Sequence, residues 1–581
     1  MTQRLLSSPF ALLLSLAAVD GLTAAEPETR PMLRLETGMH GSAIWRIAAD
    51  DAGRTVLTVA DDKTARLWEL PTGKLLRVLR VPIHSGNEGK LNACALKPDG
   101  KIAVVAGWTG PEWEQSFCVY VFDTASGRML RRLTGLPARV ADLAFSDGGR
   151  ALAAVLRDGK GLRVWETAEW SDIGRDEDYA GGNSYSVDWH ADEWLVTTCY
   201  DGALRLYRFT GGKLGQVARE RAKSGLRPHN ATFSPDGRQI AVGFADSYLV
   251  NVLDASNLSF RFAPENLDMK HITFPKAIWS KDGATLAAAA TLSVKSEYFI
   301  RRWTQGGLGK PKDAPASESL VMDMQPLPKG AILFGAAEAG WGVMTPGGQR
   351  TRFNEGPTAD YRGLNKRFGV SADGTTVKFS FDRSGREPAI FSIGSRQLVT
   401  GAKATAESDL RAPRTIGLEV TGWESTVLPI LKRQPLPMLE QEMSRSLAVA
   451  EDASFLILGT EWNLRAYSAK GEERWRIPAP APTWAVNLTD NGRLVIAAYG
   501  DGTIRWHRAD DGRELLAFFP HADKKRWILW TPEGAFDCSK GSEAFIGWHV
   551  NQGKEKEALL HPATKYLEQF HKPDLVQQAL K

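Results

Sequence analysis

Two residues near the C-terminus could do covalent chemistry together. Cys538 is a nucleophile in type and His549 a base in type, and they lie in one aromatic, glycine-rich stretch. A thiol needs a base within hydrogen-bond reach and a cradle for the developing oxyanion. The stretch supplies no visible cradle, so the bland reading is stronger: a small buried thiol, and a histidine bonded to backbone. Elsewhere the ten histidines are scattered, with no spaced His/Asp/Glu cluster for a metal. There is no Gly-x-Ser-x-Gly and no phosphate loop. The expectation is a non-catalytic chain with no cofactor, no metal and no catalytic residue.

The elements that would hold any site are written repeatedly. SPDGRQIAV at 234–242 recurs as KPDGKIAVV at 97–105, SDGGRALAA at 146–154, SKDGATLAA at 280–288, SADGTTVKF at 371–379 and TDNGRLVIA at 489–497. A period of about 40–50 residues with turn chemistry between short apolar runs signals a repeat architecture. The best unit runs from His40 to Val81. It predicts a strand from Ile44, a turn at Asp51-Ala52-Gly53, strands at 55–60 and 65–70 with a turn at Asp61-Asp62-Lys63, and a fourth strand at 75–81. One such meander cannot bury both faces, so units must stack radially. About twelve units exceed one ring. The predicted fold class is therefore all-β, with tandem β-propellers of about 12 or more four-stranded blades and a short α-helical tail. The expected domains are 31–360 for the first propeller, 361–550 for a second, diverged one, and 551–581 for the helical tail. Trp527–Phe536 reads as one further blade.

Bulk properties narrow the class. There are 72 basic and 68 acidic residues, a net +4, which predicts no affinity for nucleic acid. Arg4, the apolar run from Leu5 to Val19 and the small residues Thr23-Ala24-Ala25 read as a signal peptide over 1–25. The mature protein is then exported, periplasmic or extracellular, with no membrane insertion after cleavage. The four cysteines are expected as free thiols, because Cys94 and Cys118 fall on the first and third strands of one repeat.

The first unit resembles the WD-repeat family. His40 followed by Ile44 is similar to its Gly-His-x-x-x-Val opening, and Asp62-Lys63-Thr64-Ala65-Arg66-Leu67-Trp68-Glu69 to its close. The resemblance implies a buried structural tetrad of His40, Asp62, Thr64 and Trp68. Asp201–Tyr207 and Asp501–Arg505 keep parts of the pattern, and 320–440 is strongly diverged.

The tail resembles the segment joining propellers to a caspase-like peptidase domain in bacterial WD-repeat proteins. Trp530-Thr531-Pro532-Glu533-Gly534 and Ile546-Gly547-Trp548-His549-Val550-Asn551 carry that likeness, together with Tyr566, Phe570 and Lys572-Pro573-Asp574. Asn463–Tyr467 and Gly471–Trp475 resemble, once, the repeat of quinoprotein propellers. Three functions follow. The first is an exported scaffold binding a protein or peptide partner, with Trp108, Trp113 and Tyr120 as an exposed aromatic contact. The second is the recognition half of a split caspase-like peptidase system. The third is a propeller enzyme of quinoprotein type.

Overall fold

A computed structural model of the chain describes residues 25–179, 182–266, 272–294, 297–405 and 410–581. The signal peptide expected at 1–25 lies, apart from Ala25, outside the described residues. Among the described residues no helix is long and apolar enough to cross a membrane.

The molecule is nearly all-β. Twelve antiparallel sheets are seen among the described residues, nine of them four-stranded, consistent with propeller units in tandem. The first unit confirms the reading of the meander: strands Ile44–Ala49, Thr55–Ala60, Ala65–Glu69 and Leu75–Leu79 pair in that order. The recurring turn explains itself chemically. In SPDGRQIAV the Ser234 hydroxyl donates to Asp236 Oδ1 at 2.6 Å and accepts the Gln239 amide at 3.0 Å, while Gly237 N donates to Ser234 O at 2.8 Å. Ser280 with Asp282, Ser371 with Asp373 and Thr489 with Asn491 repeat it. The glycine adopts a left-handed φ of 67° at Gly237, and an added Cβ would lie 2.1 Å from the His190 ring of the preceding blade.

Seven successive sheets, over 44–79, 91–136, 140–176, 184–221, 228–262, 276–317 and 321–354, are each made of four consecutive strands. The last packs on the first. Trp341 meets Trp68 at 5.8 Å between ring centroids, and Arg352 and Asn354 bond the carbonyls of Pro71, Thr72 and Gly73. The Ile47 amide donates to Asp323 at 3.1 Å. No strand is exchanged across this closure; side chains alone seal it. Alternating faces of each strand feed different apolar clusters, one shared with the blade before and one with the blade after.

The remaining sheets are less regular. A six-stranded sheet over 483–538 has the sheet 444–478 on one face, through Val486, Val495 and Ala497, and the sheet 369–400 on the other, through Ala485, Ile496 and Trp506. A three-stranded sheet over 420–435 covers the far side of 444–478. Trp527–Phe536 is not a further blade. After Glu514–Pro520 the chain turns at once, with His521 N donating to Arg526 O, so Trp527–Trp530 and Phe536–Cys538 add fifth and sixth strands to an existing sheet.

Chain ends meet in the last sheet. Met32–Leu35 pairs antiparallel with Ile546–Val550, which pairs with Leu559–Pro562. The short helix Pro573–Gln578 starts on proline, as its sequence predicts, and docks by burying Val576 against the 369–400 and 483–538 sheets.

Candidate partner-binding face

Of the implied tetrad, His40, Asp62 and Trp68 are linked through Thr58, and Thr64 takes a different place. His40 Nδ1 lies 2.8 Å from Asp62 Oδ2, and His40 Nε2 lies 2.8 Å from Thr58 Oγ1. Trp68 Nε1 donates to Thr58 Oγ1, also at 2.8 Å. In the tautomer that donates Nδ1–H to Asp62, Nε2 accepts the Thr58 hydroxyl proton, so Thr58 relays between ring and indole. Thr64 does not join Trp68. Its hydroxyl donates to Asp62 Oδ1 at 2.7 Å, and the Thr64 and Gly41 amides reach the same carboxylate. Burial alone would raise Asp62, but the facing His40 ring, Arg66 and Thr64 hold its carboxyl well below the usual carboxylate range. His40 is fully buried, so this is a packing device with no open side.

Cys538 and His549 fall on different sheets. Burial pushes the Cys538 thiol up to about 11. Burial, with Arg34 and Arg80 nearby, pushes His549 down to about 3, and its ring bonds Asn551 Oδ1 at 3.0 Å. Neither group is tuned as nucleophile or base. Among the described residues no cluster of His, Cys, Asp and Glu could hold a metal, and all four cysteines are free.

Of the expected contact aromatics, Trp113 and Tyr120 are corrected. Trp113 is buried under a short helix at Pro111–Glu114, and Tyr120 is fully buried on the third strand of its blade. The inserted loop folds onto its own sheet: Glu88 accepts the Gly110 amide at 2.7 Å, and Arg132 grips Glu114. Only Trp108 remains half-exposed, with Phe117 at 6.1 Å and the Arg139 guanidinium 4.7 Å from its ring centre.

What sequence reading missed is the mouth of the first ring. Six of its seven inner strands carry a register shift near their start, at 44/46, 91/93, 140/142, 184/187, 228/230 and 321/323. A bulge bends the strand and re-aims a side chain. Here the skipped positions include Trp45, Asn92, Tyr185 and His229, all half-buried. Residues just after the second strands, Trp108, Arg157 and Tyr200, lie beside them. Tyr185 stacks on Tyr200 at 4.3 Å and on His229 at 4.7 Å, and Tyr200 Oη lies 2.8 Å from His229 Nδ1. Arg157 covers the Tyr185 ring at 4.0 Å. Below the mouth the channel is plugged. Arg46 spans it to Asp142 at 3.1 Å and to the carbonyls of Ala141 and Tyr185, while Lys276 pairs with Asp323 at 2.9 Å. A ligand would therefore rest on this face without passing through.

The face adjoins the second unit. Lys90 Nζ donates to Ala479 O at 2.9 Å, and Arg227 lies 3.9 Å from Glu440. Asn551 bonds both the amide and the carbonyl of Ile83, and also the carbonyl of Glu28. Arg66 and Arg80 pair with Glu36 beside the N-terminal strand.

Comparison with known proteins agrees with the tetrad blade. Residues 34–69 match the WD domain, G-beta repeat. The chain is 22% identical over 231 residues to the SIR4-interacting protein SIF2 of Saccharomyces cerevisiae, covering 38% of this chain and 40% of that protein. It is 26% identical over 236 residues to telomerase protein component 1 of Rattus norvegicus, covering 40% and 8% respectively. With human coronin-7 it shares 27% identity over 249 residues, or 41% and 26%. The chain thus spans well under two thirds of each relative. The repeat match, these relatives and the blades together support a WD-repeat protein.

Proposed function

We propose that the chain is a non-catalytic, exported scaffold that binds a protein or peptide partner on the mouth of its first ring. The observation that carries this is the set of bulged inner strands, which lift Trp45, Tyr185 and His229 into one half-buried aromatic face above a plugged channel. Aromatic side chains on a rigid frame give contact area at low entropic cost. Similarity to WD-repeat proteins supports a role in protein interaction. Trp548, His549 and Asn551, which carry the likeness to a peptidase linker, sit where the chain-end sheet meets the N-terminal strand and the first ring.

The test is capture with the purified mature chain and with a Tyr185→Ala/Tyr200→Ala double variant of equal thermal stability. A partner retained by the former and lost by the latter supports the reading; equal recovery, or none, counts against it. Export is checked separately by fractionating expressing cells and sequencing the mature N-terminus, with Glu26 expected first.

A further inference from the structure

The mouth contains two guanidinium groups that form no ion pair among the described residues, although Asp61 and Asp158 lie near enough to Arg139 to act on it. Arg139 and Arg157 are adjacent through their backbones, with Arg157 N donating to Arg139 O at 2.9 Å. Arg157 makes no side-chain hydrogen bond among the described residues, and its Nε is shielded from solvent without a partner. Arg139 has only Asn92 Oδ1, at 3.4 Å. Several buried arginines do form ion pairs, Arg46 with Asp142, Arg205 with Asp201 and Arg465 with Glu442, and buried Arg302 is met by the carbonyls of Pro346 and Gly347 instead. Of the two acids that act on Arg139, Asp61 accepts from Asn92 at 3.2 Å, and Asp158 is exposed to solvent. Burial first, and then the like charge of Arg157, push Arg139 down to about 10. Charged donors held together, half-buried and unsatisfied, are costly unless something fills them.

We infer that Arg139 and Arg157 form the subsite for a carboxylate of the partner, so that the mouth selects an acidic peptide segment. This rests on the reading of the mouth as the binding face and gives that face its chemistry. Planar forks favour carboxylate, which they can meet with two parallel hydrogen bonds. Both guanidinium groups are already braced over rings, Arg139 4.7 Å from the centre of Trp108 and Arg157 4.0 Å from that of Tyr185, so little rotamer freedom remains to be lost on binding. The stacked Tyr185, Tyr200 and His229 beside them offer apolar area for the residues flanking the acid. The near-neutral whole-chain charge argues against a polyanion as the ligand.

The probe is a fluorescein-labelled peptide of alternating Glu and Leu, with its Gln-and-Leu counterpart as control, followed by anisotropy against the mature chain. The Glu peptide is expected to bind at least about tenfold more tightly and to weaken as salt rises. Arg157→Gln should remove about tenfold of that preference, and Arg157→Lys, which keeps charge but loses the fork, should recover only part of it. Equal binding of the two peptides, or a preference unchanged in folded Arg157→Gln, overturns the inference. So does single-stranded DNA or tripolyphosphate binding at the same site more tightly than the Glu peptide. If a captured partner is lost with Tyr185→Ala/Tyr200→Ala yet unaffected by Arg157→Gln, the binding face stands and the acidic subsite falls. If neither variant matters, both fall.

Discussion

The seven-sheet ring and the unit that follows it solve one problem in different ways. In the ring every interface is of the same kind, inner strand against next inner strand, and closure repeats it with Trp341 on Trp68. In the second unit the six-stranded 483–538 sheet lies between two sheets of four strands, a three-stranded sheet covers one of these, and a further sheet needs a strand from the far end of the chain. Repetition spreads stability over many equivalent contacts. The irregular unit concentrates it in a few, and those few should be the ones that break.

The largest expected effect is therefore at Trp548. It is fully buried, stacks on Phe570 at 4.2 Å and anchors the cluster that holds the N-terminal strand. Trp548→Ala should cost about 3–5 kcal/mol, read as a downward shift of one unfolding transition by denaturant titration. If both units respond equally, the contrast drawn above is wrong.

Next is the tetrad blade. Thr58→Val would strip the partner from both His40 and Trp68, at about 2–3 kcal/mol, whereas Thr64→Val, which leaves that relay intact, should cost about 1 kcal/mol. Equal losses would show that the relay does not run through Thr58.

Acid should separate the two regions as well. His549 is held neutral to about 3, against about 6.5 in an unfolded chain. The unfolded state takes up the proton first, so stability at the chain-end sheet is lost as pH falls from about 6.5 toward 3, by at most about 1.4 kcal/mol per pH unit. Asp62, whose folded value is depressed, contributes stability present above about 4 and lost only below that. Amide exchange should accordingly rise at 546–550 before it rises at 55–69. The smallest effect belongs to the mouth: Arg157→Gln should change stability by about 0.5 kcal/mol, since its guanidinium forms no hydrogen bond or ion pair among the described residues and gives up only its contact with the Tyr185 ring. A larger loss, seen by thermal melting, would mark it as structural.

How much was legible follows the same divide. The Ser-x-Asp-Gly turn encodes its own hydrogen bonds within six residues, so blades could be placed from text alone. His40, Asp62 and Trp68 were readable through the likeness of their unit to the opening and close of a WD repeat. Thr58 was not, because it sits across the sheet from Arg66 and only strand register brings it beneath the indole. Trp113 and Tyr120 misled because aromatic residues in a glycine-rich insertion look exposed, while Glu88 and Arg132 pull that insertion down. The mouth residues had a signal, since Arg139 and Arg227 precede the first strands of the third and fifth blades, and Arg157 and Tyr200 follow the second strands of the third and fourth. Reading it needs the blades aligned, and the bulges that aim Tyr185 and His229 leave no mark in composition. The six-stranded sheet and the Met32–Leu35 pairing are long-range choices that no local pattern specifies.

That pairing also sets an order of events. Ribosomes release the N-terminus first, so Met32–Leu35 emerges before any blade, and its partner strand, Ile546–Val550, among the last described elements. Throughout synthesis it is an unpaired strand edge, and Arg34 within it and Glu36 just after it are the charges that discourage stray pairing in the meantime. The first ring can finish without it. The earliest-made of the described strands is thus seated only after Ile546–Val550 has been made.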